Sequence, residues 1–590
     1  MNRIPFSAVV SVALILFFAG CNSSAPPAPV TLTVTPSSAI VFSTQTIQLS
    51  AVDSVGATDV MWSVSGTTGA TVDPTGNFTA PAVTQNTTVT VTATSQKDST
   101  KTSSTSITVL APSQVTATNN PQVALYTLTP PAGLNVFIEF GTDTNYKLKT
   151  WTQPGPTTGS LSFFVAGMLA ATPYHMRAVV QAPDGTLVND LDHTFTTTAL
   201  PAAAIPAMTV TTSPGMTPQP GIEMLDLISG VVGISQMAVI DLSGNVIWSY
   251  TGLPINRSVQ GVHLLPNGHF LIGGFPDTVR EIDLAGTTIQ QESTIQLNAA
   301  FTAANIAITS RAFHHDVIAL PNGRWIALIQ LAKLCSSIPN CPTTPSTEII
   351  GDALVELIPQ GDGTFKLGWV WNSFDHLDIT RALMGYPDWT HSNAILYTDD
   401  GNILLSIRHQ SWIIKIDYAN GTGAGDIIWH LGNQGDFTLV GGTDPTDWFS
   451  AQHGPAFATP NSSGKFQMAV MDNGNLRVFP TGVTCGTTGE PPCLYSTALL
   501  LELDETVTPK TATIISNYKP GEYSFWGGEA QQLANGNMEG DFNAGSGGTL
   551  TDILEVIPGT APQTVWHLKT SNANAYRGFR MPSLYPGVQW

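Results

Sequence analysis

The chain has 590 residues, only 11% of them charged, and a formal net charge of −20 from 42 acidic and 22 basic side chains. That field repels nucleic acid and anionic membrane surfaces, so neither is expected as a partner. It repels small anions too, so an anion site here needs positive charge gathered locally, and a cluster among so few basic residues is informative. With 53 Gly and 41 Pro, short alternating apolar runs broken by Asn-Gly and Asp-Gly recur, while sustained helical periodicity is scarce. The expected fold class is all-β, and the length suits about three or four domains.

Residues 1–20 read as a lipoprotein signal peptide. Arg3 precedes an apolar run from Phe6 to Phe18, too short to span a bilayer, and Phe-Ala-Gly-Cys ending at Cys21 resembles a bacterial lipobox. Cys21 would then be the lipidated first residue, residues 21–29 a Pro/Ala-rich tether, and the protein exported to the periplasm or outer cell surface on that anchor. The remaining cysteines form two local pairs, Cys335 with Cys341 and Cys485 with Cys493. Short disulfides are predicted for both, since an exported chain meets an oxidising compartment and the spacings are too wide for a usual zinc site.

Residues 30–111 hold short strands, regular turns and one strand tryptophan, Trp62, and resemble a bacterial Ig-like β-sandwich, notably in the segment Gly76 to Pro81. Residues 112–200, with VFIEFGTDT and YHMRAVVQAPDGTLVNDLDHTFTTT, resemble a fibronectin type III sandwich. His175 and His193 stand alone there, so both modules are read as spacers or docking domains. Residues 201–220 are expected to be a linker.

In residues 221–590 one pattern recurs: a strand opening on a distinctive residue, a Gly-containing turn, then a second apolar strand. It appears as VQGVHLLPNGHFLIGG, HDVIALPNGRWIALIQ, HSNAILYTDDGNILLSI, HGPAFATPNSSGKFQMAV, GGEAQQLANGNMEGDF and YRGFRMPSLYPG. Six such units predict a six-bladed β-propeller whose last blade is completed by strands near Gly221 to Tyr250. The opening positions hold Gln260, His315, His391, His453, Gly528 and Tyr576; three are histidines, from 12 in the chain. Equivalent positions on inner strands would form a ring at one mouth of a channel, joined by Arg408, His409, Asn393, Arg577 and Arg580. Whether His314 or His315 faces the channel stays open. Three histidines also suit a catalytic metal, but arginines beside them favour an anion, so no metal and no cofactor are expected.

Asp388-Trp389-x-His391-x-Asn393, Ser406-x-Arg408-His409-Gln410, Gln452-His453, His315-Asp316, Asp472-Asn473-Gly474 and Tyr576-Arg577 with Pro582 resemble the motifs of bacterial arylsulfate sulfotransferases. The resemblance implies sulfuryl transfer from a phenolic sulfate ester to a phenol without a nucleotide donor. It casts His453 as the covalent nucleophile, His315, His391 and Arg408 as its catalytic supports, and Asn393 and Arg577 as further anion contacts; Tyr576, as an aromatic clamp, and His409 are read beside them as substrate contacts. The family members compared carry a different N-terminal domain. They also have a cysteine pair between the Ser-x-Arg-His-Gln and Gln-His motifs, where this chain has none. The expected partners are a small phenolic sulfate and a phenol, with a homodimer compatible. Two rival readings are a non-enzymatic surface-binding lipoprotein and a metal- or quinone-dependent propeller, the latter suggested by Gly-x-x-x-Trp at Gly244–Trp248 and Gly425–Trp429.

Overall fold

The structure is a computed structural model that describes residues 31–54, 56–182, 184–201, 206–228, 236–254, 256–479, 494–521, 523–543 and 551–590. The expectations for Cys21, for Cys485 and Cys493, and for the leader fall outside those residues. The fold is all-β; among the described residues the only α-helices are Thr294–Ala303 and Ser373–His376. Among the described residues no helix is long and apolar enough to cross a membrane. The chain divides into two compact units, Met1–Pro112 and Ser113–Trp590.

In the first unit, strands Ser38–Phe42, Thr102–Leu110, Thr87–Ser95 and Val60–Ser65 form one sheet. Val89 and Val91 alternate with more exposed threonines along their strand, and their buried face meets Phe78 and Leu49. This is the period-2 pattern of a half-buried sheet.

The second unit opens with two sheets over residues 114–196 and continues in six sheets of four or five strands, antiparallel except where Phe437–Val440 pairs in parallel with Lys510–Tyr518. The first of the six orders Val246–Tyr250, Met237–Ile240, Ile222–Ile228 and, from the far end of the chain, Asn574–Met581. The second holds Ser258–Leu264 to Thr288–Ser293, the third Ala312–Ala319 to Phe365–Asn372, and the fourth Ser392–Tyr397 to Ile427–Leu431. The fifth opens on His453–Phe457 and the sixth on Ala530–Gln532. Met208–Thr212, expected within a linker, instead pairs with Gln563–Thr570 as an edge strand of the sixth sheet. Its V-T-T alternation suits a half-buried strand, and the flanking Pro and Ala residues hid it.

Each sheet buries one face on the next. Leu271 and Val279 of the second meet Ile329 and Val355 of the third; Ile326 and Leu354 meet Leu405 and Ile414 of the fourth. Ile413 meets Val470 of the fifth, Met471 meets Met538 of the sixth, and Ile553 of the sixth meets Leu225 of the first. Buried tryptophans clasp neighbouring sheets: Nε1 of Trp248 donates to the Leu284 carbonyl, and Nε1 of Trp566 to that of Leu242.

Candidate active site

One strand in each of five sheets shares an irregularity. Register shifts occur between Gln260 and Val262, Phe313 and Val317, Ser392 and Ala394, and His453 and Ala456. In the first sheet Asp226 pairs with Arg577 but Leu227 with Ala575, which leaves Tyr576 as the extra residue. A bulge re-aims a side chain that regular pleating would send elsewhere. His315 and His391 go further and adopt left-handed backbone, at φ 61° and 51°, conformations a β-carbon disfavours.

The bulges bring the predicted residues of five sheets together. Gln260 Oε1 accepts from the His315 backbone N–H at 2.9 Å, and His315 Nε2 lies 3.2 Å from His391 Nε2. The Tyr576 ring stacks on His315 with centroids 5.0 Å apart and stands edge-on to His453 at 5.9 Å. His314 turns the other way, with Nε2 3.0 Å from Asp352, so His315 is the one facing this cluster. Burial first, then the positive charge of its neighbours, holds His315 well below the usual histidine range.

His453 is 2% exposed, and its Nδ1 lies 2.7 Å from Asn473 Oδ1. The Asn473 amide nitrogen donates to the carbonyls of Ser524 and Gly527, so its oxygen must face His453 and accept the Nδ1 proton. Nε2 therefore carries the lone pair, met among the described residues by the Gly527 N–H at 3.3 Å. Burial, followed by the charge of Arg408, pushes His453 well below the ordinary histidine value, against the opposing Asn473 bond. The imidazole is neutral at neutral pH.

His391 Nδ1 and Asp388 Oδ2 are 2.5 Å apart. Burial pushes Asp388 up, but the hydrogen bond and charge of His391 outweigh it and leave the carboxylate below its ordinary value. His409 stacks on His391 at 4.6 Å, donates from Nδ1 to the Asp388 carbonyl at 2.6 Å, and accepts at Nε2 from Arg408 Nη1 at 3.1 Å. Burial and the nearby His391 bring His409 down to about 4. His409 is thus a neutral brace for Arg408, whose Nη2 donates to the Phe525 carbonyl at 2.9 Å while Nε finds no protein acceptor.

Two residues expected to touch substrate are turned inward. Asn393 is 0% exposed and its amide donates to the Gln452 carbonyl at 2.7 Å, which fixes the segment entering His453. Arg577 Nη2 donates to the Asn393 carbonyl at 2.6 Å and lies 3.5 Å from Asp316. Each binds a protein carbonyl with one polar atom and keeps another, Asn393 Oδ1 and Arg577 Nε, without a hydrogen-bond partner among the described residues. The Tyr576 hydroxyl is likewise buried with no hydrogen-bond partner among the described residues.

A family model described as Arylsulfotransferase (ASST) matches residues 214–577, more than half the chain and all of the cluster. The chain belongs to the arylsulfotransferase family. No curated protein matches it. Among solved structures, a protein from Lactobacillus plantarum aligns at 8% identity over 61% of this chain and 99% of its own, with a TM-score of 0.35. The chicken CNTN1 FN1–FN3 domains align at 9% identity over 43% and 98%, with a TM-score of 0.13. Neither likeness is close enough to argue from.

As an arylsulfotransferase, the protein acts on a small aryl sulfate and a phenol, and the sulfate ester calls for anion recognition. Asp388, His391 and His409 do offer ligand atoms within 4.8 Å of one another. Yet every ring nitrogen of that pair already faces a protein group, one of them the Arg408 guanidinium, which repels a cation. The residues do not suit a metal ion. Nor does the Gly-x-x-x-Trp pattern mark a cofactor: Trp248 clasps the next sheet and Trp429 Nε1 donates to Glu505. Asp388 and Asn473 lay inside quoted motifs, but their orienting roles became visible only from their partners. The Gly527 N–H and Gln260 have no sequence signal beyond the repeat register.

Proposed function

We propose that this arylsulfotransferase works by ping-pong transfer through a sulfohistidine on His453, at the axis of a six-bladed propeller. The propeller reading is supported by six sheets buried face to face in succession, with the strand Asn574–Met581 completing the first. The observation that carries the mechanism is the fixed tautomer of His453, with Asn473 on Nδ1 and the lone pair on Nε2.

In the first half-reaction Nε2 attacks sulfur, an N–S bond forms, and the aryl C–O–S linkage breaks at the S–O bond. The departing phenolate takes a proton from the His315–His391 pair, poised by Asp388. Arg408 stabilises the sulfuryl oxygens, with its geometry set by His409 and Phe525. In the second half the same pair removes the acceptor phenol's proton, oxygen attacks sulfur, and the N–S bond breaks to restore neutral His453. No nucleotide sulfate donor is required.

The leader, with Arg3, its short apolar run and Cys21, supports export and lipid anchoring. The Cys335–Cys341 disulfide, with Cα atoms 5.5 Å apart, agrees with an oxidising compartment. Residues 30–111 and 112–200 would serve there as Ig-like and fibronectin-like spacers.

The test is release of p-nitrophenol from p-nitrophenyl sulfate, with and without added phenol, by wild type and His453→Ala. Acceptor-stimulated turnover and a sulfuryl adduct in the intact mass after donor alone are expected of the wild type only. An alanine variant that keeps most of the stimulated rate excludes the covalent scheme.

A further inference from the structure

A second cavity, of about 200 Å³, lies beside the histidine cluster, walled by Arg381, Ser411, Trp448, Phe449, Leu476 and Arg477. Its wall is continuous with the site. Arg381 Nη2 donates to the carbonyl of Gln410 at 3.0 Å, and Ser411 Oγ accepts from the Ala451 N–H at 3.1 Å, two residues before His453.

The two arginines differ. Arg477 is neutralised by Asp472 at 2.6 Å. Arg381 has no carboxylate partner among the described residues; Nη1 donates to Gln434 Oε1 at 2.9 Å, and Nε meets no acceptor. Its guanidinium lies 3.7 Å over the Trp412 ring, so its plane is held by a cation–π contact. In a chain of net charge −20, a half-buried arginine left without an acid is set apart from most of its kind. Trp448 and Phe449 give the cavity aromatic walls, and Leu383, 43% exposed, stands at its rim.

We propose that this cavity holds one aromatic ring bearing an anionic oxygen group, as a site separate from the His453 centre. Its volume, below that of pockets for drug-sized ligands, suits a single ring. The ring packs on Trp448 and Phe449, and the anion meets the second N–H of each Arg381 Nη, the ones not used on Gln434 and Gln410. The choice of an aryl ligand rests on the aryl chemistry proposed above. Two sources share this chemistry: the aryl sulfate donor and an acceptor phenol that carries an acid.

Calorimetric titration with benzenesulfonate tests it, because a sulfonate has no transferable sulfuryl ester. The proposal expects a binding site that persists in His453→Ala and weakens at least about tenfold in both Arg381→Gln and Leu383→Trp. Leu383 lies at the surface, so the second variant fills the rim without touching the fold. A titration in which either variant binds as the wild type does overturns the proposal. Displacement by 4-hydroxybenzoate more readily than by phenyl sulfate marks an acceptor-holding site, and the reverse order a donor-holding one. Transfer activity is not read, so a failure here is distinct from a failure of the covalent scheme.

Discussion

Asn473 accepts the Nδ1 proton of His453 at 2.7 Å, and its own amide is pinned by the carbonyls of Ser524 and Gly527. The tautomer of His453 is thereby set by a residue on the neighbouring strand's exit. A neutral partner also matters: a carboxylate at that position would stabilise imidazolium and raise the histidine's affinity for protons.

The expected result for Asn473→Asp follows. In the wild type His453 is held well below the ordinary value of 6.5, so donor cleavage stays on its plateau through mildly acidic pH. The aspartate variant should lose activity at a higher pH, moving the acidic limb of kcat/KM upward. Asn473→Ala should lower kcat by about 100-fold through the lost tautomer bias, with KM little changed. An acidic limb that does not move in the aspartate variant would separate Asn473 from the titration of the nucleophile.

Asp388 should matter in proportion to how much the departing phenolate needs a proton. Its carboxylate sits 2.5 Å from His391 Nδ1, and His391 Nε2 is 3.2 Å from His315. Asp388→Asn keeps an acceptor but removes the charge that supports a proton on this pair. Phenyl sulfate, with a basic leaving group, should slow by about 100-fold, and p-nitrophenyl sulfate by about tenfold or less. Equal slowing of both substrates would place Asp388 outside proton transfer.

The C-terminal residue joins the module of residues 113–200 to the larger sheets. Trp590 Nε1 donates to the Lys149 carbonyl at 3.0 Å, and its ring meets Phe140 and Tyr585 edge-on. Gly167, at φ 94°, permits this: a β-carbon there would come within 2.3 Å of the indole. Gly167→Ala and Trp590→Ala should each lower stability by roughly 1–3 kcal/mol. The double variant should lose less than the sum, because without the indole the added methyl no longer clashes. Denaturant midpoints of the four proteins close the cycle, and strict additivity would deny the contact.

Much of the site was legible because bulged inner strands repeat, so His315, His391, His453 and Tyr576 could be aligned by period alone. Periodicity gives a register but not a side chain's last two torsions. Asn393 and Arg577 sit at the right level yet turn into the protein, drawn by the Gln452 carbonyl and by Asp316. The His314–His315 ambiguity was of the same kind, and Asp352, from a strand nearly forty residues on, resolves it. The edge strand Met208–Thr212 was missed because its partner lies at the other end of the chain.

Asp541 gives a stability prediction with a definite sign. It is 0% exposed, and burial followed by the charge of Asp226 pushes it well above the ordinary value of 3.8, against the opposing backbone N–H of Gly578. A group raised on folding contributes its full stability below the unfolded value and loses it as pH rises toward the folded one. Asp541→Asn removes this loss while keeping the shape. The variant should match the wild type near pH 4 and gain over it as pH rises, by on the order of 1–3 kcal/mol at pH 8. The histidines pushed down by burial lose stability below their unfolded value instead, but they do so equally in both proteins and drop out of the difference. Thermal unfolding across pH 4–8 measures it. A gain that stays constant with pH would mean the carboxyl is not titrating in the folded interior.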